Sequence, residues 1–126
     1  MSEAVTVNGF RQRLAAHMAG VATLAPIAYV AFGDGGHNTD MTPKAAGGSV
    51  TALYHEVLRK PLTSISQEDL LSVTGKGVVD SSEIVGGVIS EAGLIDADGH
   101  LVGWKTFAPK FTEEGETYGV TLKLRF

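Results

Sequence analysis

The chain has 126 residues, a formal net charge of −4 at pH 7 and no cysteine, and 44% of its residues are hydrophobic. This length suits one domain (residues 1–126) with one core, and the low charged fraction of 19% excludes an intrinsically disordered protein. The absence of cysteine excludes disulfides, thiolate metal sites and cysteine nucleophiles. The ten Lys and Arg residues are scattered, so we expect no nucleic-acid binding.

The first predicted element is an amphipathic helix over residues 9–20, with Asn8 as N-cap and Gly20 at its C-terminal end. Its apolar residues recur at helical spacing: Phe10, Leu14, Met18 and Val21. Residues 1–4 lack the basic region of a signal peptide. The longest apolar stretch, residues 21–32, is shorter than the ~20 residues of a membrane span. We therefore expect a soluble protein made in the cytoplasm, with no membrane partner.

A buried strand, a long loop and a second helix are predicted next. Residues 27–32 are apolar throughout, which predicts a strand buried on both faces. Residues 33–48 are rich in glycine and polar residues, and a loop of about fifteen residues in a compact domain often has an interaction role. Residues 50–60 carry apolar side chains at helical spacing, which predicts a short helix that Pro61 ends.

Strand patterns fill the rest of the chain. The predicted strands cover residues 62–65, 71–79, 85–95, 100–107 and 118–126. The last is the clearest, because apolar and polar residues alternate along it. Asp96-Ala97-Asp98-Gly99 is a strong hairpin signal, since Gly99 can adopt the positive φ of a tight turn. The chain therefore belongs to the α+β class, with a mostly antiparallel β-sheet or sandwich and one or two packed helices.

No catalytic or metal-binding pattern emerges. Asp96 and Asp98 begin like a calcium loop, but Phe107 stands where the bidentate Glu would be. The glycines of residues 33–36 are not followed by the Lys-Ser or Lys-Thr of a phosphate-binding loop, and the sequence has no Gly-x-Ser-x-Gly elbow. The four histidines lack metal-ligand spacing, although one histidine per chain could still bind a metal on an oligomer axis. We expect no enzyme, no metal and no cofactor.

Glu91 lies among apolar residues in the first arm of the hairpin, and two interpretations of it are open. It either faces solvent on a half-exposed strand, or points inward and requires a partner, because an unpaired buried carboxylate is strongly unfavourable. In the second case we expect Arg59, at the end of the second predicted helix, to be the partner. That pair would fix the register between helix and sheet.

Three blocks of sequence stand in an order typical of one family. The first is an apolar strand with Ala-x-Gly-x-Gly-Gly, over residues 27–36, and the second is Thr-x-Leu-x-x-Glu-Val-x-Arg-x-Pro-Leu, over residues 51–62. The third is Ile-x-Glu-x-Gly-Leu-x-Asp-x-Asp-Gly-x-Leu, over residues 89–101, extended by Trp-Lys-Thr-Phe-Ala-Pro, over residues 104–109. It contains Glu91, Gly93, Asp96, Asp98 and Gly99. Together the blocks resemble the N-terminal attachment domain of bacteriophage tail fibres, the tail-collar fibre family.

The resemblance covers residues 27–126 and implies a structural component of a phage or prophage tail that anchors fibres to the baseplate. It implies a place in the virion, tail or baseplate proteins as partners, and a homotrimer whose anchoring surface includes the glycine-rich loop and the helix. We expect the last strand to offer an edge for assembly. The chain ends where a fibre shaft would begin, so it is a stand-alone tail component, a remnant whose fibre is encoded elsewhere, or a shortened chain. The alternative is a small surface- or carbohydrate-binding β module with Trp104, Tyr29 and Tyr54 in a shallow groove.

Overall fold

A computed structural model describes residues 4–84 and 87–126. Its elements in chain order are β1 (Val5–Thr6), α1 (Asn8–Met18), β2 (Ile27–Gly33), β3 (Glu56–Pro61), β4 (Ser64–Ser66), β5 (Ser72–Asp80), β6 (Val88–Asp96), β7 (Leu101–Phe111) and β8 (Thr117–Arg125), with a 3₁₀ turn at Ser81–Glu83. Antiparallel strands dominate and one α-helix accompanies them in the described residues. The α+β class is confirmed.

The strands form two sheets that face each other. The larger has the order β1-β7-β6-β2-β3 and the smaller the order β4-β5-β8. The sheets meet closely where Val30 of β2 lies against Gly77 of β5, and where Leu94 of β6 lies against Gly75 of β5. The core side chains between them include Val30, Phe32, Ala92, Leu94, Val79, Leu122 and Leu124. Apolar burial between the two inner faces therefore holds the sheets together.

The predicted hairpin and last strand are confirmed. β6 and β7 pair antiparallel, with Gly93 opposite Trp104, and Gly99 has φ 89° in the turn between them. Along β8 three apolar residues of the alternating pattern are buried, Val120, Leu122 and Leu124, whereas Tyr118 is partly buried and Phe126, after the end of β8, is 43% exposed. The predicted strands at residues 27–32, 62–65 and 71–79 correspond to β2, β4 and β5. Residues 85 and 86, at the start of another predicted strand, lie outside the described residues.

The first helix is confirmed, but two details of the prediction are wrong. Asn8 is the first helical residue and Val7 is the N-cap. Phe10 is buried, whereas Met18 and Val21 are 76% and 79% exposed. Contacts with the rest of the fold come from the first half of α1: Arg13 Nη2 donates to the carbonyl of Leu101 at the start of β7, and the ring of Phe10 lies 5.0 Å from that of Phe126.

The second predicted helix, over residues 50–60, is wrong. Glu56–Pro61 form β3, which pairs antiparallel with β2 so that Phe32 stands opposite Leu58. The helical spacing covered residues 50–60, but pairing of residues 56–61 with the edge of β2 satisfies the backbone of this segment and overrides the local pattern. Pro61 does not end a helix; it ends an edge strand, where a residue without an N–H is tolerated.

The loop between β2 and β3, residues 34–55, is the long loop predicted from the glycine-rich sequence, and it extends to β3 because the second helix is absent. It covers the face of the large sheet that points away from the small sheet. Leu53 of the loop is buried and packs over Gly93 on that face. The ring of Tyr54 lies 5.4 Å from that of Trp104. The molecule thus has three layers: small sheet, large sheet and long loop.

The strand β8 forms one edge of the small sheet, and two of its outward carbonyls are already bonded within the chain. Lys105 Nζ donates to the carbonyl of Thr121 at 3.0 Å, and Thr6 Oγ1 donates to the carbonyl of Arg125 at 2.8 Å. Side chains from the neighbouring sheet therefore cover part of this edge, as proteins commonly do with edge strands. Among the described residues, no helix has the length and apolar character needed to cross a membrane.

Candidate functional site: the long loop and Glu91

Glu91 joins both ends of the long loop to the large sheet. Its side chain is fully buried on the loop-covered face. Oε2 accepts the backbone N–H of Gly35 at 3.0 Å and that of His55 at 2.9 Å, and Oε1 accepts the N–H of Tyr54 at 2.7 Å. Hydrogen bonds to an ionised acceptor are stronger than neutral ones. One carboxylate thus fixes the backbone near both ends of the loop.

The buried interpretation of Glu91 is right, and the expected partner is wrong. Arg59 instead binds Glu56, with Nε and Nη2 each 2.9 Å from a carboxylate oxygen. The register of β3 directs Arg59 toward the hairpin turn, where Nη1 lies 3.8 Å from the place a Cβ would occupy on Gly99. Backbone amides bind Glu91 without any particular side chain, so the sequence could not reveal them.

Glycine is required where the loop crosses β6. A Cβ on Gly33 would lie 2.5 Å from the carbonyl oxygen of His55 and 2.6 Å from Glu91 Oε2. A Cβ on Gly36 would collide with the carbonyl of Ser90 and lie 2.8 Å from Glu91 Cβ. The glycines of the first sequence block therefore allow the backbone to approach the carboxylate.

Side chains of β6 and β7 also bind the loop between its two ends. Ser90 Oγ accepts the N–H of Gly36 at 2.8 Å, Thr106 Oγ1 donates to the carbonyl of Lys44, and Trp104 Nε1 donates to the carbonyl of Gly47 at 2.9 Å. Ser90 and Trp104 are fully buried. The loop therefore rests on a row of polar anchors that sequence reasoning missed, because each anchor binds a backbone group.

The other residues of the third block serve the hairpin itself. Asp96 is buried, and its Oδ1 accepts the N–H groups of Asp98 at 3.0 Å and His100 at 2.9 Å. Its Oδ2 lies 3.7 Å from Arg13 Nε, an ion pair that joins the turn to α1. Gly93 stands on the same face as Glu91 and makes room for Leu53. Within the described ranges, no group of three or more His, Asp or Glu side chains could hold a metal ion.

No family model, curated protein or solved structure matches this chain. The function is therefore inferred from the residues and their geometry.

The tip of the long loop is a small turn, residues 38–43. The Met41 N–H donates to the carbonyl of Asn38 at 3.0 Å, and the Asn38 N–H donates to the carbonyl of Thr42 at 2.8 Å. Asp40 Oδ1 accepts the N–H of Thr42 at 3.2 Å and also its hydroxyl. The Thr42 hydroxyl and N–H lower the pKa of Asp40, which favours its charged form. The loop tip thus has a defined backbone conformation.

A second contact joins the two ends of the long loop. His55 Nδ1 lies 2.5 Å from Asp34 Oδ1. This hydrogen bond, together with the negative charge of Asp34, raises the pKa of His55. His55 and Asp34 flank the buried Glu91, whose charge also contributes to the raised pKa.

The aromatic residues Trp104, Tyr54 and Tyr29, which were expected to line a shallow binding groove, differ in their exposure to solvent. Trp104 is fully buried beneath the loop and cannot line a groove. Tyr54 is 48% exposed, and Lys44 Nζ lies 4.7 Å from its ring centroid. Tyr29 is half-buried in β2. The expectation that these three residues form an exposed groove is wrong for Trp104.

Proposed function

We propose that this chain is a structural, non-enzymatic domain of a phage or prophage tail, which docks to other tail or baseplate proteins through the long loop. One observation carries the proposal. The three sequence blocks that resemble the fibre-attachment domain meet at a single carboxylate: Gly35 comes from the first block, Tyr54 and His55 from the second, and Glu91 from the third. The three blocks therefore meet at the base of the loop, through Glu91, Gly35 and the backbone amides at two variable positions of the second block.

A fixed loop suits docking. Interaction residues are often on loops that a rigid scaffold positions, and here the scaffold is the face of β6 and β7. A loop already ordered before binding loses less conformational entropy when the complex forms. The hydrogen bonds of Glu91, Ser90 and Trp104 supply that order.

The covered edge of β8 makes the loop a better candidate than the last strand for docking. The carbonyls of Thr121 and Arg125 would have to leave Lys105 and Thr6 before another chain could bind them. Docking through the loop surface does not require these hydrogen bonds to break.

The second candidate is a surface- or carbohydrate-binding module. The half-exposed ring of Tyr54 favours it, because sugars commonly stack on exposed aromatic side chains. Burial of Trp104 removes the largest aromatic ring from such a groove. The structural role in a tail is therefore the better supported function.

The proposal is tested by co-sedimentation of the purified chain with tail particles assembled in cells that lack it. We expect saturable binding to the tails, and unchanged sedimentation in the presence of unrelated particles of similar size. Absence of binding to the tails would contradict the proposed function.

A further inference from the structure

The loop tip presents an apolar side chain in a backbone conformation that disfavours it. Met41 has φ 69°, and it alone among the non-glycine residues of the described ranges has a positive φ. The turn closed between Asn38 and Met41 is one in which glycine usually occupies this left-handed position. Glycine in place of Met41 would therefore relieve local strain.

The side chain of Met41 is also exposed to solvent. Met41 is 51% exposed, although the thioether side chain is apolar. Neither its backbone conformation nor its burial explains a methionine here. A residue held in an unfavourable conformation by surrounding hydrogen bonds is an indicator of function.

The loop tip is firmly held in this conformation. The N–H of Lys44 donates to the carbonyl of Gly36 at 2.8 Å, and His37 forms an antiparallel bridge with Pro43. Just below, Ser90 and Glu91 bind the loop base. The side chain of Met41 is thus displayed at a defined place on the surface, next to the carboxylate of Asp40.

We propose that Met41 and Asp40 are the contact residues of the docking loop: the thioether enters an apolar socket on a tail or baseplate protein, and the carboxylate pairs with a Lys or Arg at the rim of that socket. The inference rests on the proposed function and adds the chemistry of the partner surface. Methionine adapts to irregular apolar sockets, and a charge at the rim mainly sets orientation and association rate.

The test compares variants of the full chain in co-sedimentation with tail particles that lack it, alongside thermal unfolding. Met41→Gly should raise the unfolding midpoint by roughly 2–6 °C, since it relieves the strain, and should weaken binding by at least about tenfold. Met41→Leu should retain binding. Met41→Ala should lose binding without the gain in stability. This variant therefore separates the effect of the lost side chain on binding from the effect of backbone strain on stability.

Two further variants complete the test. Asp40→Asn keeps an oxygen for Thr42 but removes the charge, so binding should weaken and become less sensitive to salt. Leu70→Ala removes an apolar side chain that is 89% exposed at the β4–β5 turn, and it should leave binding unchanged.

The outcomes separate this inference from the proposed function. If the wild-type chain does not bind tails, both fail. If the wild-type chain binds and Met41→Gly binds equally well, the inference about the loop tip is overturned and the proposed function stands. A lower unfolding midpoint for Met41→Gly would overturn the premise that Met41 is strained.

Discussion

Glu91 supplies the acceptors for three backbone amides that the large sheet cannot pair, because they belong to the two ends of the long loop. A buried amide without an acceptor is more unfavourable than a hydrogen bond is favourable. The carboxylate therefore stabilises the loop mainly by preventing unsatisfied donors. Its position on β6 decides where the loop begins and ends on the sheet.

Glu91→Gln places a donor group where the carboxylate accepts hydrogen bonds. We expect the free energy of unfolding to fall by about 1–3 kcal/mol, because at least one partly buried amide loses its acceptor and the remaining bonds lose their charge. Urea denaturation measures the change. Glu56→Gln is the control: it removes a partly exposed pair with Arg59, and we expect a change below about 0.5 kcal/mol. Equal losses in the two variants would contradict the role given to Glu91.

At the scale of elements, the long loop is closed by a contact that depends on pH. Asp34 follows β2 directly and His55 precedes β3, so their hydrogen bond joins the two strand ends. Because Asp34 raises the pKa of His55 above its ordinary value of 6.5, the folded state binds this proton more tightly than the unfolded chain. The stabilisation is complete below pH 6.5 and is lost as the pH rises through the pKa of His55 in the folded state.

NMR titration of the histidine side chains measures this effect. We expect the pKa of His55 to lie above 6.5 in the wild-type chain and to move back toward 6.5 in Asp34→Asn, because the variant removes the negative charge. The same pKa for His55 in both proteins would show that Asp34 does not hold the proton.

Some elements could be predicted from sequence patterns alone. The alternation along β8 and the turn signal at Gly99 depend on neighbours in the chain, so both were predicted. The apolar spacing in residues 50–60 fits a helix, yet residues 50–55 belong to the loop and only residues 56–61 form a regular element, the strand β3. Pairing with β2, which is distant in sequence, decides the outcome.

At the scale of the whole molecule, the proposed tail role includes a homotrimer. The mass in dilute solution, measured by light scattering on a sizing column, should be about three times 13.2 kDa. This expectation follows from the resemblance of the three sequence blocks to the attachment domain of tail fibres. A mass of 13.2 kDa at every concentration would contradict the trimer but leave docking of a single chain to tails untouched.

The sequence by itself determined the α+β class, the β6–β7 hairpin, the last strand, the first helix and the presence of a long loop. These follow from periodicity, glycine and local turn chemistry, which act between residues close in the chain. The partner of Glu91, the strand character of β3 and the strained position of Met41 were decided by tertiary structure. Backbone amides and strand edges carry no sequence signature, so their partners are fixed only when distant segments come together.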